Sequence, residues 1–208
     1  ASGSAVVAAD APNLIASIAG LLAQTEVLED RELLKATHCA LTKLAAVTPG
    51  AFVGAFEQLL PNLLVGAQIE VDIQIERVEV ADEDEDEGWE TKYIDNKGKG
   101  LMRLRINSNQ MDEKLMALDS LFSYARALGA SFYPAVAPLV AACLPTLSYK
   151  WNQTARASAA TALAEAYKCV VLAAATGEGG VTKAHAAELL QARRESRHNL
   201  LLLGELLL

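Results

Sequence analysis

The chain is 208 residues long, 52% apolar but only 5% aromatic, and carries 26 Asp/Glu against 18 Lys/Arg for a net charge of −8. That length holds one ordinary domain or a run of small repeats, and an apolar content made mostly of Ala, Leu and Val is the composition of closely packed helices. A pI near 4.9 argues against nucleic acid and anionic membrane surfaces, which need a cationic face, and favours a basic partner.

Residues 1–9 are bland and are expected to form a linker; no N-terminal stretch has the charged start and apolar core of a signal peptide. Helical periodicity then comes in pairs. Asp10 followed by Pro12 predicts a helix start, with Leu14, Ile15, Ile18, Leu21 and Leu22 on one face as far as about Gln24. A second helix from Asp30 carries Leu33, Leu34, Thr37, Leu41, Leu44 and Ala45 until Thr48-Pro49-Gly50 stops it. The third, Ala51–Val65, turns Phe52, Phe56, Leu59, Leu60, Leu63 and Leu64 inward.

Residues 66–108 break the rhythm. From Gln68 to Lys99 there are twelve Asp/Glu and four Lys/Arg, an excess equal to the net charge of the whole chain, so the helical remainder is balanced. The run Asp82-Glu83-Asp84-Glu85-Asp86-Glu87 cannot be buried and is expected as a solvated loop, either a spacer or a docking site for something basic. Trp89, in the Gly88-Trp89-Glu90 that follows, is expected to pack on the helices rather than stand exposed as a hot spot. Ile69, Val71, Ile73 and Ile75 alternate with polar residues, as do Leu104 and Ile106 with Arg103 and Arg105, which is the strand period. The turn formers Asp95–Gly100 predict a β-hairpin between 89–94 and 101–106, lying against the helices.

The fourth helix spans about Asn109 to Leu128, with Leu115, Leu118, Leu121, Phe122 and Ala125 on its stripe, and Gly129 ends it. The fifth, Phe132–Leu147, has Pro134 near its start and Pro138 and Pro145 within it, each removing an intrahelical bond, so a bend is expected. The sixth, Asn152 to about Ala175, is almost entirely small residues on which a neighbour can sit close. A last helix is predicted from about Thr182, carrying Leu189, Leu190 and Leu200–Leu203; the apolar end Leu200–Leu208 is far short of the roughly 20 residues of a membrane span.

The pairs repeat. An offset of 80 lays Phe52 on Phe132, Leu41 on Leu121, Ala45 on Ala125, Leu59 on Leu139 and Leu64 on Leu144, and a further 42 lays Leu121 on Leu163 and Ala117 on Ala159. With the insertion removed the period is 40–42, the HEAT or armadillo class. The expected fold is an all-α, right-handed HEAT-repeat solenoid segment of three to four helix pairs. It divides into helices at 10–65, an acidic insertion with its β-hairpin at 66–108, a repeat at 109–150 and another at 151–208.

No covalent chemistry is predicted. Cys39, Cys143 and Cys169 read as small buried hydrophobes, and His38, His185 and His198 share no spacing that assembles a metal site with them. There is no nucleophile beside a base and no phosphate-cradling motif, so the chain is read as a non-enzyme without cofactor or metal.

Two resemblances go further. Asn152-Gln153-Thr154-Ala155-Arg156 followed by Ala-rich sequence to Leu163 resembles the HEAT A-helix pattern, which implies an interrepeat ladder through Asn152 and Arg156. The succession of acidic run, Gly88-Trp89-Glu90, a turn-rich stretch and Asp112-Glu113-Lys114 opening a helix through Leu121, Tyr124 and Ala125 closely resembles the importin beta-three subfamily of the importin beta (karyopherin beta) superfamily. It covers roughly residues 12–175. That resemblance implies a segment of a nuclear transport receptor of about twenty repeats. Such a receptor shuttles between cytoplasm and nucleus through the nuclear pore, with Ran GTPase, basic nuclear-localisation-signal cargo and nucleoporins as partners and no direct nucleic acid or membrane contact. Asp82–Glu87 and Trp89 are its candidate protein-binding residues. The alternative is a HEAT-repeat scaffold unrelated to transport.

Overall fold

The computed structural model describes residues 2–22, 24, 30–81, 87–96 and 100–177. The helices are α1 (Ser2–Leu21), α2 (Arg31–Val47), α3 (Pro49–Gln68), α4 (Ser108–Leu128), α5 (Val136–Leu147) and α6 (Gln153–Thr176), with a 3-10 helix at Gly129–Ala135 between α4 and α5. Strands β1 (Ile73–Val78), β2 (Trp89–Asn96) and β3 (Gly100–Asn107) form one sheet between α3 and α4.

Local chemistry sets most of these boundaries. Asp30, Asn107 and Asn152 are extended N-caps whose side-chain oxygens accept from Leu33, Gln110 and Ala155 amides respectively. Pro49 opens α3 at a position where no amide bond is lost, and Gly177 closes α6 with a left-handed φ of 73°. α1 begins at Ser2, eight residues before the expected start, so it takes in residues 2–9 that the sequence leaves as a linker. Alanine-rich sequence extends a helix backward, and Pro12 becomes an interior residue. The single bent helix expected from Phe132 is instead a 3-10 turn followed by α5. Pro134 sits in the 3-10 segment, and Pro138 falls in the first turn of α5, where its missing amide costs no intrahelical bond. The predicted helix from Thr182, with Leu200–Leu208, lies outside the described residues.

α4 is the central helix, packed against α2, α3, α6 and the 3-10 turn, while α5 lies against α6 and α3. An aromatic chain joins three elements: Phe52 stacks on Tyr124 at 5.2 Å, Phe56 lies 5.5 Å from Tyr124, and Phe132 lies 5.1 Å from Phe56. Fully burying side chains of this size stabilises by roughly 2–3 kcal/mol each, with aromatic pairing adding about 1. Small residues allow close approach elsewhere. A Cβ on Gly66 would lie 3.0 Å from the Ala117 Cβ, and the Cys169 thiol reaches Ala125 O at 3.1 Å. Ser108–Leu147 and Gln153–Thr176 are apolar and long enough to cross a bilayer; Leu118, Leu121, Leu139 and Val170 within them are buried in this core instead.

β1 and β2 each pair antiparallel with β3, which lies between them. The hairpin is the one the turn chemistry predicts, and β1 adds a third strand. Leu104 and Ile106 bury themselves with Val71, Met111 and Ala155, so the base of the sheet rests on α4 and the start of α6.

Candidate functional site

The insertion leaves α3 at Gln68 and ends at Ser108, and both junctions are tied to α4. Lys114, only 5% exposed, donates from Nζ to Ala67 O at 2.7 Å and Ile69 O at 3.1 Å. An ammonium is thus placed at the negative end of the α3 dipole, where it satisfies carbonyls the helix cannot. It also stands 5.8 Å from the Tyr149 ring centroid, and burial pushes its pKa below the ordinary lysine value. One turn earlier, Gln110 accepts from the Asp72 amide at 2.7 Å and donates to Asp72 Oδ2 at 3.0 Å. The Asn107 amide donates to Asp72 O and the Ser108 amide to Gly88 O. Gly88 is required there: its φ is +85°, and a Cβ would come within 2.8 Å of Asn109 Nδ2.

The pleat divides the sheet into two faces. Ile73, Leu104 and Ile106 point to the helices; the register puts Gln74, Glu76, Trp89, Thr91, Tyr93, Arg103 and Arg105 on the other side. There Arg103 donates from Nε and Nη2 to Glu76 Oε1 at 2.8 and 2.7 Å, and that hydrogen bond leads the causes that raise its pKa. Arg105 reaches Gln74 Oε1 at 3.5 Å and lies 5.1 Å from the Trp89 ring centroid. The expectation that Trp89 packs on the helices is therefore corrected: strand alternation turns it to the opposite face, against a guanidinium.

Of the acidic run, Asp82, Glu83, Asp84, Glu85 and Asp86 lie outside the described residues, and Glu87 is exposed at the turn into β2. Asn152 and Arg156 make local bonds: the Asn152 oxygen caps α6, and Arg156 Nη1 donates to Tyr149 O at 2.7 Å. Cys143 and Cys169 are buried, with desolvation pushing both thiols up to about 11, but Cys39 is exposed, a correction to the reading of all three as buried. His38 is buried, its pKa is lowered by desolvation, and its Nδ1 has no partner. It borders an open groove of about 420 Å³ between α2 and α4, with Lys35, Cys39, Asp112 and Asp119 along it. Among the described residues no three His, Cys, Asp or Glu are grouped to hold a metal ion.

Sequence reasoning missed Lys114. Its signal was present: it falls three residues after Met111 and four before Leu118, both buried, so it lies on the inward stripe of α4.

No family model matches the chain, and no curated protein matches it by sequence. Solved structures do. A crystal structure of Kap121p matches at a TM-score of 0.62 and 21% identity over 78% of this chain and 15% of that one. Kap121p bound to RanGTP and Kap121p bound to Nup53p match over the same shares at 21% identity, with TM-scores of 0.60 and 0.61. A further match is described as the karyopherin Kap121p. This chain has the fold of a karyopherin segment. It is mostly helical with a small three-stranded sheet, and it spans about 15% of the length of the structures it matches.

Proposed function

We propose that the chain is a segment of a nuclear transport receptor of the importin beta superfamily, within the importin beta-three subfamily, acting by non-covalent binding alone. The observation that carries the reading is the likeness over 78% of the chain to Kap121p, a protein crystallised with RanGTP and with Nup53p. The acidic insertion between the helices supports it.

In this reading the helix pairs stack as a right-handed HEAT solenoid, and the intact receptor binds Ran GTPase, basic-signal cargo and nucleoporins while moving between cytoplasm and nucleus. Asp82–Glu87 and Trp89 supply a negative, aromatic-flanked surface, and acidic potential speeds encounter with Lys/Arg-rich signals. The test is a pull-down of the intact receptor with a basic signal peptide and GTP-loaded Ran. Displacement of the peptide by the GTP form, and not by the GDP form, is the expected result; a receptor that binds neither Ran form refutes the reading.

A further inference from the structure

The sheet has two edges, β1 and β2, and they are built differently. The Asn107 amide donates to Asp72 O and the Ser108 amide to Gly88 O. Those two bonds set the antiparallel alternation along β3: Gln74, Glu76 and Val78 turn their amides and carbonyls toward β3, while those of Ile73, Ile75 and Arg77 point away from it. Among the described residues no backbone group bonds to that outer side of β1.

The β2 edge is guarded. Glu90 and Lys92 point to the helix side and are joined at 2.9 Å, so a strand added there would have to cover an ion pair. β1 instead carries Ile73 and Ile75 in that row, with Arg77 only near its end. It has no proline, glycine or lysine, and it runs beside β3 from Ile73 to Val78 without a bulge. Gln74, Ile75, Glu76 and Arg77 are all exposed, Ile75 by 51%. A regular, isoleucine-bearing edge of six residues, about 20 Å long, is a template for another strand.

Charge decides which strand fits. Along this edge the exposed Glu70, Asp72, Glu76 and Glu79 stand against one cation, Arg77. Arg103 and Arg105 lie one strand further in, already engaged by Glu76, Gln74 and Trp89. A second copy of the chain would bring the same acids and a net charge of −8 to the contact, so like charge opposes it.

We propose that the outer edge of β1 is a docking site for an extended segment of a partner protein, one that alternates branched apolar residues with Lys or Arg and adds as a fourth, antiparallel strand. Its backbone pairs with Ile73, Ile75 and Arg77, its apolar side chains extend the row of Ile73 and Ile75, and its cations lie beside Asp72 and Glu76. A block of lysines without the alternate apolar positions lacks half of that match. The inference stands on strand order and edge chemistry and does not require the transport reading.

The test uses the full chain and an eight-residue peptide alternating lysine and valine, with binding read by fluorescence anisotropy and by exchange of single amides. The Ile73, Ile75 and Arg77 amides are expected to exchange freely without peptide and about tenfold more slowly with saturating peptide, the amides of β2 staying unchanged. Ile75→Pro removes only an outward amide, and Ile75→Lys puts a charge in the apolar row; each should weaken binding about tenfold, and the lysine variant decides if the proline variant does not fold. The same peptide N-methylated at its valines, and octalysine, should also bind about tenfold more weakly. Absence of binding to wild type, protection of the three amides before peptide is added, or equal binding by I75K, by the N-methylated peptide or by octalysine each overturns the proposal. So does a peptide-free dimer that I75K abolishes, which assigns the edge to a second copy.

Discussion

Lys114→Met isolates the contact that fixes the insertion to the helices. Methionine matches the length and apolar stem of lysine but donates nothing, so Ala67 O and Ile69 O lose their donor, and Ala67 is fully buried. Each carbonyl left without a partner costs about 1–3 kcal/mol, while removing a buried ammonium recovers part of that. The net expectation is a loss of about 2 kcal/mol, near a thirtyfold change in the folding equilibrium, read by urea unfolding at neutral pH. The pH dependence adds a second reading. Burial lowers the folded pKa of Lys114 below 10.5, so between the folded and unfolded values the unfolded chain binds more protons and stability rises with pH. Wild type should gain on K114M as pH approaches 10.5. A variant within about 0.5 kcal/mol of wild type, with no difference in pH slope, would refute the assignment of Lys114 as the tie.

Two further substitutions probe the core. Tyr124 is fully buried, its hydroxyl has no partner, and burial pushes its pKa upward; Tyr124→Phe should keep the stack on Phe52 and stabilise by about 1 kcal/mol in thermal or urea unfolding, and a loss of stability would count against it. The Cys143 thiol is raised from 9.0 to about 11, so its contribution is intact below pH 9 and disappears as pH climbs to 11. The fall is on the order of 2–3 kcal/mol, and wild-type stability minus that of Cys143→Ala should decline across that window; a flat difference would contradict the burial argument.

Helix packing was legible because repeated packing forces repeated residues. Phe52 and Phe132, Leu41 and Leu121, Ala45 and Ala125, and Leu59 and Leu139 are all buried, as the offset of 80 requires. Leu64 and Leu144 match in sequence but not in burial, Leu144 being 54% exposed. Ala117 and Ala159 are both buried, and Thr37, 80 residues before Ala117, shares the position by donating its hydroxyl to Leu33 O. The sheet was legible only where local chemistry decides. Turn formers announced β2 and β3, whereas alternation identified β1 as a strand without naming its partner, because Ile73 pairs with Ile106 across a separation no local pattern encodes. Cys39 was misread for a simpler reason. On α2 it sits two residues before buried Leu41, about 200° around the helix and so on the far side.

The anchoring of the insertion bears on whether the acidic run is a spacer. A spacer needs only length and charge, and it gains nothing from fixed ends. Here one junction is held by Lys114 and Gln110, the other by the Ser108 amide and a glycine that a side chain could not replace. A hairpin without a third strand would be marginal in water, and β1 with the Leu104 and Ile106 contacts makes the sheet a rigid platform on α4. The chain leaves that platform at Val78, opposite Leu101, and rejoins it at Trp89, opposite Asn107, about 22 Å away by strand geometry. Ordering those corners costs conformational entropy at every held residue, and the interactions that offset it are spent on orientation. Such anchoring fixes where β1 and β2 stand on α4, which is more than length and charge alone would require.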